Sequence, residues 1–179
     1  MLGTTVPVRR FALSYALTVV LTGCATSAAH RDTLAAQGLI EEEAPVKAAA
    51  EIIIAAPPSK VWGFLTDIKD WPKWQPDIAK TAIQRDPAAG VHFSWSTGGM
   101  TIDSTIRLFD PDRAFGWTGR ALQVHAIHLW TLSPLPDART LVRTRESMDG
   151  WLISLFYSSS ELLESDQRWL TRLKVAAES

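Results

Sequence analysis

Residues 139–177 read RTLVRTRESMDGWLISLFYSSSELLESDQRWLTRLKVAA, and this stretch contains the change of periodicity that decides the fold. Before Gly150 the segment favours a β-strand, because β-branched residues follow a turn and a glycine closes the run. Over residues 151–177 apolar side chains recur at helical spacing, which predicts a helix about 40 Å long. Ser158 and Glu161 match a capping box, and the run of serines that starts there marks a place where this helix weakens or kinks.

Upstream of that stretch the sequence predicts six further strands and two short helices. Ala48–Ala55 is a β-branched strand that stops at a proline pair, and Pro58–Asp67 starts with the proline typical of a first helical turn. Asp70–Trp74 predicts a second short helix. Five strands then follow at short spacing, with glycine or proline turns between them: Ile78–Arg85, Val91–Ser96, Ile102–Leu108, Arg113–Gly119 and Leu122–Ser133.

This order of elements resembles the helix-grip fold of the START-like (SRPBCC) superfamily, in its polyketide cyclase/dehydrase and lipid-transport branch. The resemblance covers residues 48–177. It implies an α+β fold in which a curved antiparallel sheet of about seven strands wraps around a long C-terminal helix, with two short helices after the first strand. It also implies a cavity between sheet and helix for an apolar ligand. The residues that carry it are Ile54, Ala56, Pro57, Trp62, Asp67, Trp71, Trp74, Gly90, Phe93, Trp95, Glu146 and Gly150.

Residues 1–23 resemble a bacterial lipoprotein signal peptide. A basic pair, Arg9–Arg10, precedes the apolar run Phe11–Leu21, which as a helix would be about 16 Å long and too short to span a bilayer. The motif LTGC that ends at Cys24 resembles a lipobox, which implies that Cys24 becomes the first mature residue and carries the lipid. Ala25 in place of aspartate implies sorting to the outer membrane, facing the periplasm. The alternative is a cleaved secretory signal with an incidental cysteine.

Residues 24–47 predict a flexible tether between the lipidated cysteine and a START-like domain at 48–179. The segment is rich in small and charged residues and has no aromatic residue, which is typical of solvated linkers. A short amphipathic helix through Leu34, Leu39 and Ile40 is the alternative. Acyl chains at Cys24 would anchor the domain stably to a membrane.

A set of mostly apolar side chains on the inner face of the sheet and on the helix is expected to line the cavity. Large planar rings fill space imperfectly and suit a hydrophobic site, although a plain packed core is the alternative for each of them. The expected lining is Phe93, Trp95, Ile102, Ser104, Ile106, Trp117, His128, Trp130, Thr144, Glu146, Leu155, Phe156 and Trp169.

One polar pair stands out within this lining. If the last two strands pair so that Trp130 faces Thr144, then His128 lies opposite Glu146 on the same face. Such a pair could act as a general acid and base, or could orient the polar head of a ligand. The alternative is a structural hydrogen bond that closes the sheet.

Composition excludes several other classes of protein. With 18 basic and 19 acidic residues the net charge is −1, which argues against nucleic acid as a partner. The single cysteine excludes an internal disulfide framework and a multi-cysteine zinc site. No phosphate-binding loop or zinc-protease motif is present, and we therefore expect neither a cofactor nor a metal.

The sequence thus predicts a membrane-anchored envelope lipoprotein that binds a hydrophobic small molecule or lipid. A cyclase/dehydratase-type enzyme that uses His128 and Glu146 as acid and base is the alternative, and a ligand-free envelope scaffold with a filled core is a third. The sequence indicates no particular protein partner.

Overall fold

Seven strands account for most of the domain in the computed structural model, which describes residues 28–150 and 153–179. The strands are β1 (Val46–Ile54), β2 (Ile78–Ile83), β3 (His92–Thr97), β4 (Met100–Asp110), β5 (Ala114–Ala121), β6 (Val124–Leu135) and β7 (Arg139–Gly150). They form one sheet in the order β1-β7-β6-β5-β4-β3-β2, and every neighbouring pair is antiparallel. The predicted strands are all present, with ends that differ by a few residues.

Among the helices predicted within the domain, only the one after the sheet differs from prediction. Helix α1 (Pro58–Thr66), a 3-10 turn (Ile68–Asp70) and α2 (Trp71–Trp74) follow the first strand as predicted. The single helix expected over 151–177 is instead a short α3 (Ile153–Phe156) followed by the long α4 (Ser159–Glu178).

The capping box is the physical reason for this break. The Ser158 hydroxyl accepts a hydrogen bond from the Glu161 backbone N–H at 3.2 Å, and the Ser158 N–H donates to the Glu161 carboxylate at 2.8 Å. Both bonds satisfy groups that are free only at the start of a helix, so they fix the first turn of α4 at this point.

Helix α4 packs its apolar stripe against the inner face of the sheet. Its buried residues recur at helical spacing: Leu162, Asp166, Trp169, Leu170, Leu173 and Ala177. Both ends of α4 are tied to β1, since the Lys47 N–H donates to Ser159 at 3.0 Å and the Ala55 N–H donates to Glu178 at 2.6 Å. The helix therefore runs alongside β1, and the predicted α+β helix-grip fold is confirmed.

The outer face of the sheet is also covered, by a segment that the sequence analysis assigned to the tether. Residues 28–36 are helical. Ala35 and Ile40 are buried in a small apolar cluster with Ile127 and Leu129 of β6. The predicted tether is therefore wrong from Arg31 onward, because two apolar side chains of this segment find partners on the sheet.

Ion pairs fix the start of the same segment. Arg31 pairs with Asp149 at the end of β7 at 3.0 Å, and Asp32 pairs with Arg107 of β4 at 2.7 Å. Asp32 also accepts a hydrogen bond from the Thr118 hydroxyl at 3.0 Å. These contacts place Arg31 at the edge of the sheet where β7 ends.

We expect Ile40→Ala to lower the free energy of unfolding by about 2 kcal/mol, because it leaves a cavity in this cluster. Ile40 is 5% exposed, whereas its neighbour Leu39 is 45% exposed, so Leu39→Ala is the matched control with a much smaller effect. Urea denaturation followed by circular dichroism measures both. Equal effects of the two substitutions would show that the segment does not pack on the sheet in solution.

The proposed signal peptide (residues 1–23) and Cys24 lie outside the described residues. Among the helices that the structure describes, none combines the length and hydropathy needed to cross a bilayer.

Candidate functional site

Tryptophan rings fill the space between the sheet and α4. The ring of Trp71 lies 5.6 Å from that of Trp117 and 5.4 Å from that of Trp169, measured between centroids. Phe93 packs edge-on against Trp71 at 5.7 Å, and Trp130 lies 5.9 Å from Trp169. These distances are those of rings in direct contact, so the interior is closed where the sequence predicted open space.

Most of the side chains predicted to line the interior lie there. Those buried are Phe93, Ser104, Ile106, Trp117, His128, Trp130, Thr144, Glu146 and Trp169. Trp95 and Ile102 are half-buried. The prediction is wrong for Leu155 and Phe156, whose side chains are 69% and 79% exposed. They belong to α3, which precedes the Ser158 cap and does not continue the buried stripe of α4.

A surface groove of about 810 Å³ lies between α1, α2 and the C-terminal part of α4. Phe64, Trp74 and Val175 are among its apolar lining residues, and Lys60 and Arg172 are among its charged ones. None of the side chains predicted to line the cavity borders this groove.

His128 lies at the centre of the closed interior, and its position confirms the predicted strand register. In the β6–β7 pair His128 is opposite Glu146, and Trp130 is opposite Thr144. The imidazole stacks on Trp130 with centroids 5.1 Å apart and planes inclined by 20°. On its other side it contacts Trp117 at 4.6 Å.

Both ring nitrogens of His128 face polar partners from β7. Nδ1 lies 3.3 Å from the Glu146 carboxylate, and Nε2 forms a hydrogen bond of 2.8 Å with the Thr144 hydroxyl. The imidazole is therefore held in one orientation by the hydrogen bond to Thr144, by its contact with Glu146 and by stacking.

Asp166 of α4 completes the cluster, and the sequence analysis did not identify it as a site residue. Its Oδ1 lies 3.9 Å from His128 Nε2, and the residue is 1% exposed. Its Oδ2 is buried without a hydrogen-bond partner among the described residues. The sequence nevertheless held a feature that could have identified Asp166. It lies between Leu162 and Leu170, at a position where helical spacing predicts a core residue.

Burial dominates the electrostatics of this cluster. It lowers the pKa of His128 to about 3 and raises the pKa of Asp166 to about 7. Burial, reinforced by the negative charge of Asp166, raises the pKa of Glu146 well above its ordinary value. Tyr157 is half-buried nearby, and burial followed by the charge of Glu146 raises its pKa too.

The cluster has two acids and one base, which limits its ionisation states. If both carboxyl groups were ionised, a protonated His128 would still leave one uncompensated negative charge in a low-dielectric interior. At least one carboxyl group therefore keeps its proton, and the favoured state pairs a neutral imidazole with a protonated Glu146. Such an arrangement can donate or accept a proton, or bind a polar group of a ligand.

The same three side chains are the ones that could hold a metal ion, since each offers one ligand atom and these atoms lie within 4.8 Å of one another. Both nitrogens of the imidazole, however, already face partners within the protein. Metal binding would require one of these contacts to break, so the geometry fits a hydrogen-bonded cluster better.

Comparison with known families decides where the chain belongs. A family model described as "Polyketide cyclase / dehydrase and lipid transport" matches residues 45–163. The chain is a member of this family. The match includes β1, the whole sheet and the first turn of α4, and it therefore contains His128 and Glu146 but not Asp166. Membership in the polyketide cyclase/dehydrase and lipid transport family, together with its START-like fold, indicates hydrophobic ligand binding. No curated protein matches the chain.

Solved structures share the fold of this family member at low sequence identity. A hypothetical protein of Helicobacter pylori matches with a TM-score of 0.68 and 21% identity, over 76% of this chain and 90% of that one. The Zhui aromatase/cyclase of Streptomyces sp. R1128 matches with a TM-score of 0.59 and 20% identity, over 74% and 93% of the two chains. A START superfamily protein of Mycobacterium smegmatis has a TM-score of 0.59 and 13% identity, over 74% and 94%.

Proposed function

We propose that this protein is a lipoprotein of the bacterial cell envelope, anchored through Cys24 in the outer membrane and facing the periplasm. In this proposal it binds a hydrophobic small molecule or lipid between the sheet and α4. His128, Glu146 and Asp166 meet the polar group of the ligand, and the surrounding tryptophan rings meet its apolar part.

The buried cluster is the observation that carries the proposal. Packing alone favours apolar side chains at such positions, because removing ionisable groups from water costs more than their mutual contacts return. Perturbed ionisable groups in an interior are typical of functional sites. The unpartnered Asp166 Oδ2 is a buried acceptor that a ligand hydroxyl or amine would satisfy.

Binding requires the interior to open, because the rings are in contact in the closed state. Trp169 is the ring on α4, whereas Trp117 and Trp130 belong to the sheet, so separating helix from sheet would part these rings. An apolar ligand would then replace ring–ring contacts with ring–ligand contacts of similar kind. The closed structure is, in this proposal, the ligand-free state.

A second candidate is an enzyme of the cyclase/dehydratase type. Its support is the opposite direction of the pKa shifts on His128 and Glu146, which favours a neutral base beside a protonated acid. Ligand binding alone would need no such pair, whereas proton transfer would use both members.

Native mass spectrometry of the full chain, expressed with its own leader and released from membranes with detergent, tests the binding proposal. We expect an apolar molecule to co-purify with the wild type, and Glu146→Gln to lower its affinity about tenfold, equivalent to about 1.4 kcal/mol. Glu51→Gln, on the exposed part of β1, is the matched control and should bind like the wild type.

The remaining outcomes separate the alternatives. Conversion of the bound molecule by the wild type, with binding but no conversion in Glu146→Gln, would favour the enzyme. A ligand-free mass, together with no uptake of the fluorescent probe N-phenyl-1-naphthylamine, would favour a packed scaffold. Intact mass also tests the anchor, since a processed lipoprotein would lack residues 1–23 and carry a lipid on Cys24, and Cys24→Ala would abolish the lipid mass.

A further inference from the structure

One end of the sheet carries exposed apolar side chains from three separate segments. The β3–β4 turn presents Met100 (49% exposed), the β5–β6 turn presents Leu122 (84%), and α3 presents Leu155 (69%) and Phe156 (79%). Exposed apolar side chains grouped at one place mark an interaction surface, whereas scattered ones need no explanation. We call this group the apolar end.

Strand pairing shows that these segments lie at the same edge. Asp103 of β4 pairs with Arg120 of β5. The turn before Asp103, at Met100, and the turn after Arg120, at Leu122, therefore project beyond the same edge of the sheet. Val124 pairs with Gly150, and Gly150 lies so close to the turn that an added Cβ would overlap the Gln123 carbonyl oxygen. The Lys47 N–H, which lies near this edge, donates a hydrogen bond to Ser159 at the start of α4. Because α3 lies in the chain between Gly150 and Ser159, it belongs to the apolar end too.

The three segments of the apolar end are themselves uncharged, although Glu41, Glu42 and Glu43 precede β1 at the same end of the sheet. The segments of the apolar end, residues 98–102, 121–124 and 153–157, contain no Asp, Glu, Lys or Arg. The loops at the opposite end contain six: Arg85, Asp86, Asp110, Asp112, Arg113 and Asp137. Uncharged apolar side chains suit the interfacial region of a bilayer, whereas charged side chains favour water.

The attachment point of the chain lies at the apolar end. Arg31 is ion-paired to Asp149, next to the last residue of β7. Cys24 precedes Arg31 by seven residues, which span at most about 25 Å when fully extended. The sheet is longer than this reach, since the twelve residues of β6 extend over about 40 Å. A lipid on Cys24 would therefore keep the apolar end nearest the membrane.

We infer that the apolar end docks onto the bilayer that holds the Cys24 lipid. This inference rests on the proposed lipid anchor and adds the orientation of the domain, with Met100, Leu122, Leu155 and Phe156 in the interfacial region. The partner of the apolar end is a lipid surface, because the proposed anchor at Cys24 attaches the chain to a membrane. The orientation also places His128 and Glu146 toward the membrane, since they lie only two residue pairs beyond Ala126–Met148 on the same strands.

The test attaches the chain from Cys24 onward to vesicles by coupling its single cysteine to a maleimide lipid. Vesicles of phosphatidylethanolamine and phosphatidylglycerol (3:1) and hydrogen–deuterium exchange are used. We expect exchange in peptides covering residues 98–102, 121–124 and 153–157 to slow severalfold on the vesicles, and exchange at 110–113 and 136–138 to stay unchanged. Leu122→Asp combined with Phe156→Asp should abolish this protection.

Val175→Asp is the matched control, because Val175 is 67% exposed and lies near the other end of α4. It should leave the protection unchanged. Equal exchange with and without vesicles, protection at the opposite loops, or protection that survives the double substitution would overturn the inference. A dimer in sedimentation experiments without vesicles, with the same segments protected, would assign the surface to a second copy instead. Because the anchor is supplied chemically, failure of docking is distinguishable from failure of acylation in the cell.

Discussion

Trp71→Ala is expected to lower the free energy of unfolding by about 3–5 kcal/mol, the range for removing a large aromatic side chain from a core. Trp71 is fully buried, and its ring contacts those of Phe93, Trp95, Trp117 and Trp169. It joins α2 to the sheet and to α4, so no single neighbour can move to close the cavity left behind. Much of the stability of a domain of this size would be lost.

Urea denaturation at constant pH measures this effect. Trp71→Phe is the informative companion, because it keeps most of the apolar ring but removes the hydrogen bond from Nε1 to the Leu65 carbonyl at 3.0 Å. It should cost less than the alanine variant. A loss below about 1 kcal/mol for Trp71→Ala would mean that the ring cluster is loosely packed in solution.

Glu146→Gln is expected to be more stable than the wild type at high pH but not at low pH. A carboxyl group whose pKa is raised in the folded state binds a proton there that the unfolded chain has released. The free energy of unfolding then falls as pH rises above the unfolded pKa of about 4.3. The glutamine variant cannot lose a proton and escapes this loss, so its advantage over the wild type should grow between pH 5 and pH 8.

His128 changes the free energy of unfolding in the opposite direction, and it does so over a lower pH range. Its pKa is lowered to about 3, so its contribution to stability is present above pH 6.5 and is lost as pH falls toward 3. Asp166, with its pKa raised to about 7, adds to the effect of Glu146 and makes Asp166→Asn a second variant with the same expected sign. Comparing each variant with the wild type at each pH cancels the contribution of titratable groups outside this cluster.

Thermal and urea unfolding between pH 5 and pH 8 check this prediction. Glu51→Gln is the surface control, and its difference from the wild type should stay constant over the range. A Glu146→Gln variant that is strongly destabilised at pH 7 would contradict the prediction. It would show that the wild type holds a charged His128–Glu146 pair, whose disruption leaves an uncompensated buried charge.

The sheet and its register could be predicted because each half-buried strand alternates in polarity. One assumed pairing, Trp130 opposite Thr144, then fixes every other pair of an antiparallel ladder, which is how His128 and Glu146 were brought together from sequence. Periodicity also identified α4, and the Ser158 capping box was recognisable, although the helical pattern was extended through it to residue 151.

Other features could not be predicted from local pattern. The packing of Ala35 and Ile40 depends on a distant part of the chain. The sequence of β6 did carry a signal, since apolar residues occupy both of its faces, with Ile127 and Leu129 on one and Trp130 on the other, and both faces therefore require cover. Asp166 was not identified as a site residue because it is a single acidic residue within the otherwise apolar stripe of α4. Whether the interior is open or closed depends on how tryptophan rings from five elements fit together, and composition does not determine that.

The tryptophan cluster provides an intrinsic spectroscopic signal for the packing of the interior. Indole rings that meet edge to face at 5.4 to 6.1 Å, as Trp71, Trp95 and Trp169 do, couple their electronic transitions. Coupled transitions of fixed geometry give strong near-ultraviolet circular dichroism that depends on the angle and distance between rings. Any event that moves Trp169 away from the sheet would therefore change this spectrum, and the opening of the interior can be followed without a label.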